Sequence, residues 1–347
     1  MNELFNIQDL IRDNIAKLEP YSSARDEFSG SASVFLDANE NPLNEPLNRY
    51  PDPRQLDLKK MIAGIKGLAV DQIFLGNGSD EGIDLLFRVL CEPGRDNVIT
   101  VDPTYGMYGV CAQINDVERK SVLLREDFSL DPDAVMQAAD VHTKMVFLCS
   151  PNNPTSNALE RESIIKIVEG VDCMVVVDEA YLDFSDRPGM LSELTEYGNL
   201  VILQTLSKAW GLAGIRLGMV FAQPALISYL TAVKYPYNIN TLTMEAAIKQ
   251  LADEQIHTFW IKTILKERDL LVEDLSAFEF VRQVFPSDAN FLLVKVDDPG
   301  KIYAYLMQQG IIVRDRSSVA LCEGCIRITV GTVDENRILI KALSAYG

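Results

Sequence analysis

The chain has 347 residues, enough for one large or two ordinary domains around a sizeable core. Apolar residues make up 48% and charged residues 24%, the balance of a globular protein that folds in water. With 32 Lys and Arg against 50 Asp and Glu the net charge is −18, which argues against nucleic acid or an anionic membrane as the main partner, since both need a basic face.

The opening "MNELFNIQDLIRDNIAKLEPY" places acids and polar residues where a signal peptide needs an unbroken apolar stretch. No apolar run approaches the roughly 20 residues of a membrane helix. A cytoplasmic location is therefore expected. Residues 1–45 read as an N-terminal arm with part of a smaller domain, including a strand that leads onward.

From about residue 70 the chain alternates β-rich runs with helix-like stretches. The runs are "QIFLGNG", "NVITVDPTY", "KSVLL", "KMVFLCSPNNP", "CMVVVDEAY", "LVILQTLSK" and "RLGMVFA". Many are continuous Val/Ile/Leu segments, as expected of strands buried on both faces. Helical patterns such as "SDEGIDLLFRVL" (79–90) and "LERESIIKIVEG" (159–170) lie between them. This alternation predicts an α/β domain with a mostly parallel sheet over residues 46–240.

The pattern breaks at "VKYPYNINTLTMEAAIKQ" (233–250), where Pro236 and two asparagines mark a boundary. A long helix is expected over about 242–275. Strands are expected at "NFLLVKV" (290–296), "GIIVRDR" (310–316) and "CIRITVG" (325–331). Residues 241–347 thus read as a smaller α+β domain.

Six cysteines and two histidines constrain the chemistry. Cys91, Cys111, Cys149 and Cys173 sit in apolar runs and read as small core residues. Cys322-x-x-Cys325 has no second pair, so a structural zinc site is disfavoured and no metal is expected. His142 and His257 have no histidine or cysteine at ligand spacing, and a histidine-based triad is weak.

Ligands of open parallel sheets bind beyond the carboxyl ends of the strands. The residues just past each run therefore carry the functional reading. They are "GNGSDEG" with Ser79 and Asp80, Tyr105 in "DPTY", Asn153 in "SPNNPT", Asp178 and Tyr181 in "DEAY", Ser207 and Lys208 in "LSK", and Arg216 before "LGMVFA". Each has an ordinary reading: "GNGSDEG" as a tight turn with Ser79 or Asp80 as an N-cap, Asn153 as a turn residue, Tyr105 as a core aromatic. "GNGSDEG" also offers free N–H groups at a helix start, an anion cradle. It lacks the G-x-G-x-x-G of a dinucleotide site, and no Walker A element accompanies Asp178-Glu179.

Lys208 weighs most. It follows a buried-type strand and precedes "AWGLAG", which is poor in solvating groups. Desolvation lowers an amine's pKa and leaves it a nucleophile toward carbonyls, pyridoxal phosphate among them. That cofactor asks for an acid at its pyridine nitrogen, a phosphate cradle and an aromatic face. Asp178, "GNGSDEG" with Ser207 and Arg216, and Tyr105 supply them.

The ordered set "SPNNPT…DEAY…SKAWGLAGIRLG…IRITVGT" resembles the fold-type I aminotransferases. "LDANENP" (36–42), "RYPDP" (49–53) and "DPTYGMY" (102–108) are similar to the histidinol-phosphate aminotransferase subfamily, over about residues 21–331. The resemblance implies a large domain with a mostly parallel mixed sheet flanked by helices, plus a smaller α+β domain. It implies pyridoxal 5'-phosphate as cofactor and Lys208 as the Schiff-base lysine and proton shuttle. Asp178 would pair with the pyridine nitrogen. Tyr181 and Asn153 would bond the phenolic oxygen, and Tyr105 would stack on the ring. Ser79, Asp80, Ser207 and Arg216 would surround the phosphate. Tyr50 would reach the phosphate held by the neighbouring subunit of a homodimer with shared active sites. Arg327 matches the substrate-carboxylate arginine, and Arg314 and Tyr21 match residues that bind the phosphate of histidinol phosphate. The implied reaction takes histidinol phosphate and 2-oxoglutarate to imidazole acetol phosphate and glutamate, in histidine biosynthesis. An aromatic amino acid aminotransferase, or a decarboxylase of a phosphorylated amino acid, shares most of the motifs. Two departures stand out: Ser156 where the family usually has glycine, and Trp210 where it more often has phenylalanine.

Overall fold

The Val/Ile/Leu runs all enter one sheet. The computed structural model describes residues 6–21 and 33–346. Its first seven strands are β1 (Ile73–Asn77), β2 (Asn97–Asp102), β3 (Glu118–Leu123), β4 (Thr143–Cys149), β5 (Met174–Asp178), β6 (Leu200–Thr205) and β7 (Leu217–Phe221). They lie in the order β1-β7-β6-β5-β4-β2-β3. β7 runs antiparallel to β1 and β6, and the other pairs are parallel.

The central strands are apolar without a break because both faces are covered. Val175 and Val177 of β5 pack on one face with Ile202, Val146 and Ile99. Met174 and Val176 pack on the other with Val201, Leu203 and Phe147. The helices that cover the sheet are α1 (Asp13–Ala16), α2 (Leu56–Lys66), α3 (Gly78–Leu90), α4 (Met107–Ile114), α5 (Pro132–Ala138), α6 (Arg161–Gly170), α7 (Pro224–Val233) and α8 (Thr241–Leu251). In α3, Ile83, Leu86, Phe87 and Leu90 recur at helical spacing and are fully buried.

A second, antiparallel sheet has the order β10-β11-β9-β8, from β8 (Val281–Val284), β9 (Phe291–Val296), β10 (Arg314–Asp315) and β11 (Cys325–Thr329). One face packs Leu292, Val294, Ile326 and Ile328 on helices α9 (Glu254–Ser276), α10 (Pro299–Gln308) and α11 (Val333–Tyr346). The opposite face sends Leu293 and Cys325 into the core beneath the large sheet. Arg327 shares the parity of Cys325 and so turns toward the large sheet.

Three expectations change. The helix expected over 242–275 is two helices, because Asp253 caps α9 by accepting from the Ile256 N–H at 3.0 Å. The strand expected over 310–316 shortens to Arg314–Asp315. β8 was hidden because its polar residues Arg282 and Gln283 are exposed. Among the described residues of 1–45 there is a 3-10 turn, Ile7–Asp9, and helix α1, but no strand.

One backbone contact sets where α3 begins. The Gly78 N–H donates to Arg216 O at 2.8 Å, which ties the start of α3 to the start of β7. A Cβ on Gly218 would lie 2.1 Å from Gly78 C and Ser79 N, so only glycine lets the two backbones meet. Gly218→Ala should therefore destabilise by at least the roughly 1–3 kcal/mol of an overpacked core. Gly214→Ala, whose Cβ meets nothing within 4 Å, should be near neutral. Urea denaturation midpoints of the two variants check this.

Candidate active site

Strands β1, β2, β4, β5 and β6 end at one edge of the large sheet. β7 is antiparallel, so it begins at that edge and carries Arg216 there. The loops enclose a pocket of about 150 Å³ lined by Ser79, Asp80, Tyr105, Asn153, Asp178, Tyr181, Ser207, Lys208 and Arg216, along with Gly78 and Thr205. Of the cofactor residues expected from the sequence, only Tyr50 lies outside this lining.

Asp178 is buried at the end of β5, and burial pushes its carboxyl up to about 6. Two donors oppose that shift. The Tyr108 hydroxyl donates to Oδ2 at 2.7 Å, and the Ala180 N–H donates to Oδ1 at 3.1 Å. Tyr108 is fully buried and stacks on Phe147 with ring centroids 4.7 Å apart. Burial, with the Asp178 charge beside it, holds its phenol far above the ordinary range, so it remains a donor. Sequence reading missed Tyr108. The signal was the second tyrosine of "DPTYGMY", which α4 turns inward while Tyr105 stays at the pocket.

Lys208 is partly buried. Burial lowers its amine pKa, the positive charge of Arg327 lowers it further, and Asp178 partly opposes them. Its Nζ lies 5.4 Å from the Tyr181 ring centroid. The following loop is pinned by Trp210, which stacks on His257 of α9 with centroids 3.7 Å apart. The departure from phenylalanine at this position thus has a partner.

The anion end lies at the start of α3. Ser79 and Asp80 fall in the first turn of that helix, with Asn77 as N-cap, so neither is the cap itself. Arg216 has φ 56° and reaches over this turn; a Cβ on Gly78 would lie 2.7 Å from its Nη2. Thr205 Oγ1 holds Ser207 twice: it donates to Ser207 Oγ at 3.0 Å and accepts from its N–H at 3.1 Å. Asp80 lines the same end of the pocket, where its backbone N–H, rather than its carboxylate, suits a phosphate. It accepts from the Tyr105 hydroxyl at 3.1 Å and lies 3.7 Å from Arg216, so its side chain orients those two groups.

Across the pocket the Asn153 amide lies 3.5 Å from the Tyr181 hydroxyl. Arg327 Nη1 donates to Asn153 Oδ1. This bond joins the two sheets at the site, and Arg327 also lies 5.3 Å from the Phe291 ring centroid. The Asn153 turn tolerates Ser156, which is buried at φ 66° with its Oγ bonded to Thr155 O at 2.6 Å and Pro286 O at 3.2 Å.

Three expected residues stand apart from the pocket. Tyr50 is half exposed and stacks on Tyr237 with centroids 4.6 Å apart. Tyr21 is exposed on another cleft, with Pro53 and Lys234, and is not brought to Arg314 or Arg327 within one chain. Arg314 is exposed opposite Arg327.

These residues fit pyridoxal phosphate. Glycine at Gly78 and Gly218 leaves a cradle of free helix N–H groups and a guanidinium for a phosphate. Asp178 suits a protonated ring nitrogen, and Lys208 is an amine whose proton is loosened. The Tyr108 bond leads to a prediction. Tyr108→Phe removes a donor from the Asp178 carboxylate and raises its pKa further, so less of it is ionised near neutrality. Binding of pyridoxal phosphate to the ligand-free protein should weaken about tenfold. The loss should grow as pH falls from 8 toward 6, as equilibrium dialysis across that range would read.

Comparison with known proteins agrees with this geometry. The family "Aminotransferase class I and II" matches residues 27–343. A histidinol-phosphate aminotransferase of Bacteroides fragilis (strain YCH46) is 58% identical, over 98% of this chain and 99% of that protein. The crystal structure of the histidinol-phosphate aminotransferase from Clostridium acetobutylicum superposes with a TM-score of 0.80 at 26% identity, covering 86% of this chain and 91% of that one. The enzyme of the same name from Sinorhizobium meliloti, solved in complex with pyridoxal-5'-phosphate, shares the fold with a TM-score of 0.78 at 24% identity, covering 86% of this chain and 84% of that one. The chain belongs to the pyridoxal-phosphate-dependent class I and II aminotransferases, and within them to the histidinol-phosphate aminotransferase family.

Proposed function

We propose that this chain moves the amino group of L-histidinol phosphate to 2-oxoglutarate, giving imidazole acetol phosphate and L-glutamate in L-histidine biosynthesis. The observation that carries the reading is the placement of Lys208 in one pocket with a buried carboxylate, Asp178, and with Asn153, to which the Arg327 guanidinium donates. A carboxylate there serves the cofactor, and the guanidinium faces an anionic substrate. The near full-length likeness to named relatives supports the substrate pair.

Pyridoxal phosphate, when bound, supplies an electrophilic carbon for amines and a ring that takes up the electron pair left at the substrate Cα. The rest is the work of this chain. Lys208 acts as a neutral amine, first as nucleophile and then as the base that removes the Cα proton. Its burial and the charge of Arg327 favour that neutral form. Asp178, held ionised by Tyr108 and Ala180, keeps a proton on the ring nitrogen. Tyr181 and Asn153 would hold the phenolic oxygen, and Tyr105 would pack against the ring. Ser79, Ser207, Arg216 and the N–H groups of α3, that of Asp80 among them, would hold the phosphate. Arg327 and Arg314 take the anionic groups of the substrates.

The assembly we infer is a homodimer in the cytoplasm, with Tyr50 reaching the partner's phosphate site. The half exposure of Tyr50 supports this, and the stack on Tyr237 fixes its direction. Among the described residues no helix is long and apolar enough to cross a membrane. We also place the cofactor domain at 46–240 and the domain that contributes Arg314 and Arg327 at 241–347.

Lys208→Ala should remove the visible absorbance band of the holoenzyme and cut turnover by at least about 100-fold. Asp178→Asn should retain some cofactor but lose most turnover. The substrate is tested by titrating that band with histidinol phosphate, phenylalanine, tyrosine and phosphothreonine. A response to histidinol phosphate is expected; a response to the aromatic amino acids alone, or CO₂ release from phosphothreonine, would overturn the reaction named. Shared sites are tested by mixing Lys208→Ala chains with Tyr50→Ala chains. A mixed dimer contains one site with neither defect, so activity should reappear on mixing, and its absence would count against a Tyr50 contribution in trans.

A further inference from the structure

Arg316 has no part in the reading so far. Arg314 stands directly opposite Arg327 in the antiparallel β10–β11 pair. The ladder continues one step past the strand, where the Arg316 N–H donates to Cys325 O at 2.9 Å. Side chains two apart in extended chain share a face. Arg314, Arg316 and Arg327 therefore occupy the face of the small sheet that Leu293 and Cys325 turn toward the large domain. Asp315, between the first two, is engaged elsewhere: its Oδ1 accepts from the Ser317 N–H at 2.8 Å.

Among the described residues no carboxylate belongs to the groups that act on the charge of Arg316 or Arg327. Burial lowers the pKa of each, and neighbouring arginines lower it further: Arg314 for Arg316, and Arg316 ahead of Arg314 for Arg327. Arg327 donates to Asn153 of the catalytic pocket, which sets this face of the small sheet beside it. The Arg316 Nε is buried and, among the described residues, has no hydrogen-bond partner. A desolvated guanidinium N–H without an acceptor is costly, and so are like charges gathered without an acid. An arriving anion relieves both.

We propose that Arg316 is a specificity-determining residue of this enzyme: with Arg314 it binds the anionic group of the substrate farthest from the reacting amine. That group is a phosphate monoester in one half-reaction and the distal carboxylate of a dicarboxylate in the other. A guanidinium fork suits both, because each presents paired oxygens to paired N–H donors. This inference rests on the aminotransfer reading above.

The test uses the holoenzyme and the variant Arg316→Gln, with half-reactions for histidinol phosphate, glutamate and phenylalanine. Phenylalanine has the reacting amine but no distal anion. In the variant, KM for histidinol phosphate and glutamate should rise about 10–100-fold, the scale of one lost charge-assisted bond. The phenylalanine half-reaction and the denaturation midpoint should stay within about twofold and within error. The inhibition constant of inorganic phosphate against the phenylalanine half-reaction should rise in parallel. An equal loss on all three donors means a structural role and overturns the proposal, as does an unchanged KM for histidinol phosphate. If the wild-type enzyme ignores histidinol phosphate, the proposed function fails, and phosphate inhibition alone decides on Arg316. A constant unchanged by the variant overturns the role and a raised one supports it. Should Arg316→Gln fail to fold, Arg316→Lys, which keeps the charge and loses the fork, is read the same way.

Discussion

Burial of Asp178 is the constraint on which the site depends. A carboxylate in an apolar sheet is driven toward neutrality, and here it rises to about 6. Lys208 on the next strand's loop is driven the same way from the other side, its proton loosened by burial and by Arg327. Each group left alone would favour its neutral form. The function asks for opposite outcomes: Asp178 must stay charged and Lys208 must be able to lose its charge. Tyr108 and the Ala180 N–H tip the carboxyl back toward ionisation, while among the described residues no hydrogen bond holds the Lys208 side-chain amine. The two groups thus part ways through hydrogen bonding, since burial treats them alike.

The same need for a dry, rigid floor explains the sheet topology at this edge. Parallel strands bring loops together but supply few cations, because a strand end exposes mostly carbonyl groups. The antiparallel β7 breaks the pattern and delivers Arg216 from the start of a strand. That is possible only because Gly218 lets β7 meet the first turn of α3. Helix N–H groups and guanidinium would then face a phosphate from two sides. Asp80, an acid in that first turn, does not spoil the cradle because its oxygens are directed at Tyr105 and Arg216.

Much of this was legible in the residues, and the limits have physical causes. Continuous apolar runs identify strands buried on both faces, and the residues just after them identify the pocket. Lys208, Asp178 and Asn153 were readable because each stands at or just past the end of an apolar run that forms a strand, and Arg216 because it stands just before one. Tyr108 was not, since a tyrosine in a helix is ordinary until the fold sets it against a carboxylate seventy residues away. Strand β8 was masked by exposed polar residues, and the break at Ala252–Asp253 by a helical pattern that continues across it. Tyr50 and Tyr21 show another limit, because in the dimer proposed above a second chain would complete their surroundings.

Net charge proved a poor guide to the ligand. A chain at −18 argues against polyanionic partners. Yet Arg216 lines the pocket, and Arg314, Arg316 and Arg327 share one face of the small sheet. The two facts are compatible because they act at different ranges. Surface carboxylates are screened over about 8 Å at physiological ionic strength, so a small anion in the cleft feels little of them. The partly buried guanidiniums of Arg316 and Arg327 are screened far less, and among the described residues no acid belongs to the groups that act on their charge. A large polyanion spreads across the surface and meets the net charge; a small substrate meets the arginines. Acidic exterior and cationic pocket together select for size as well as for sign.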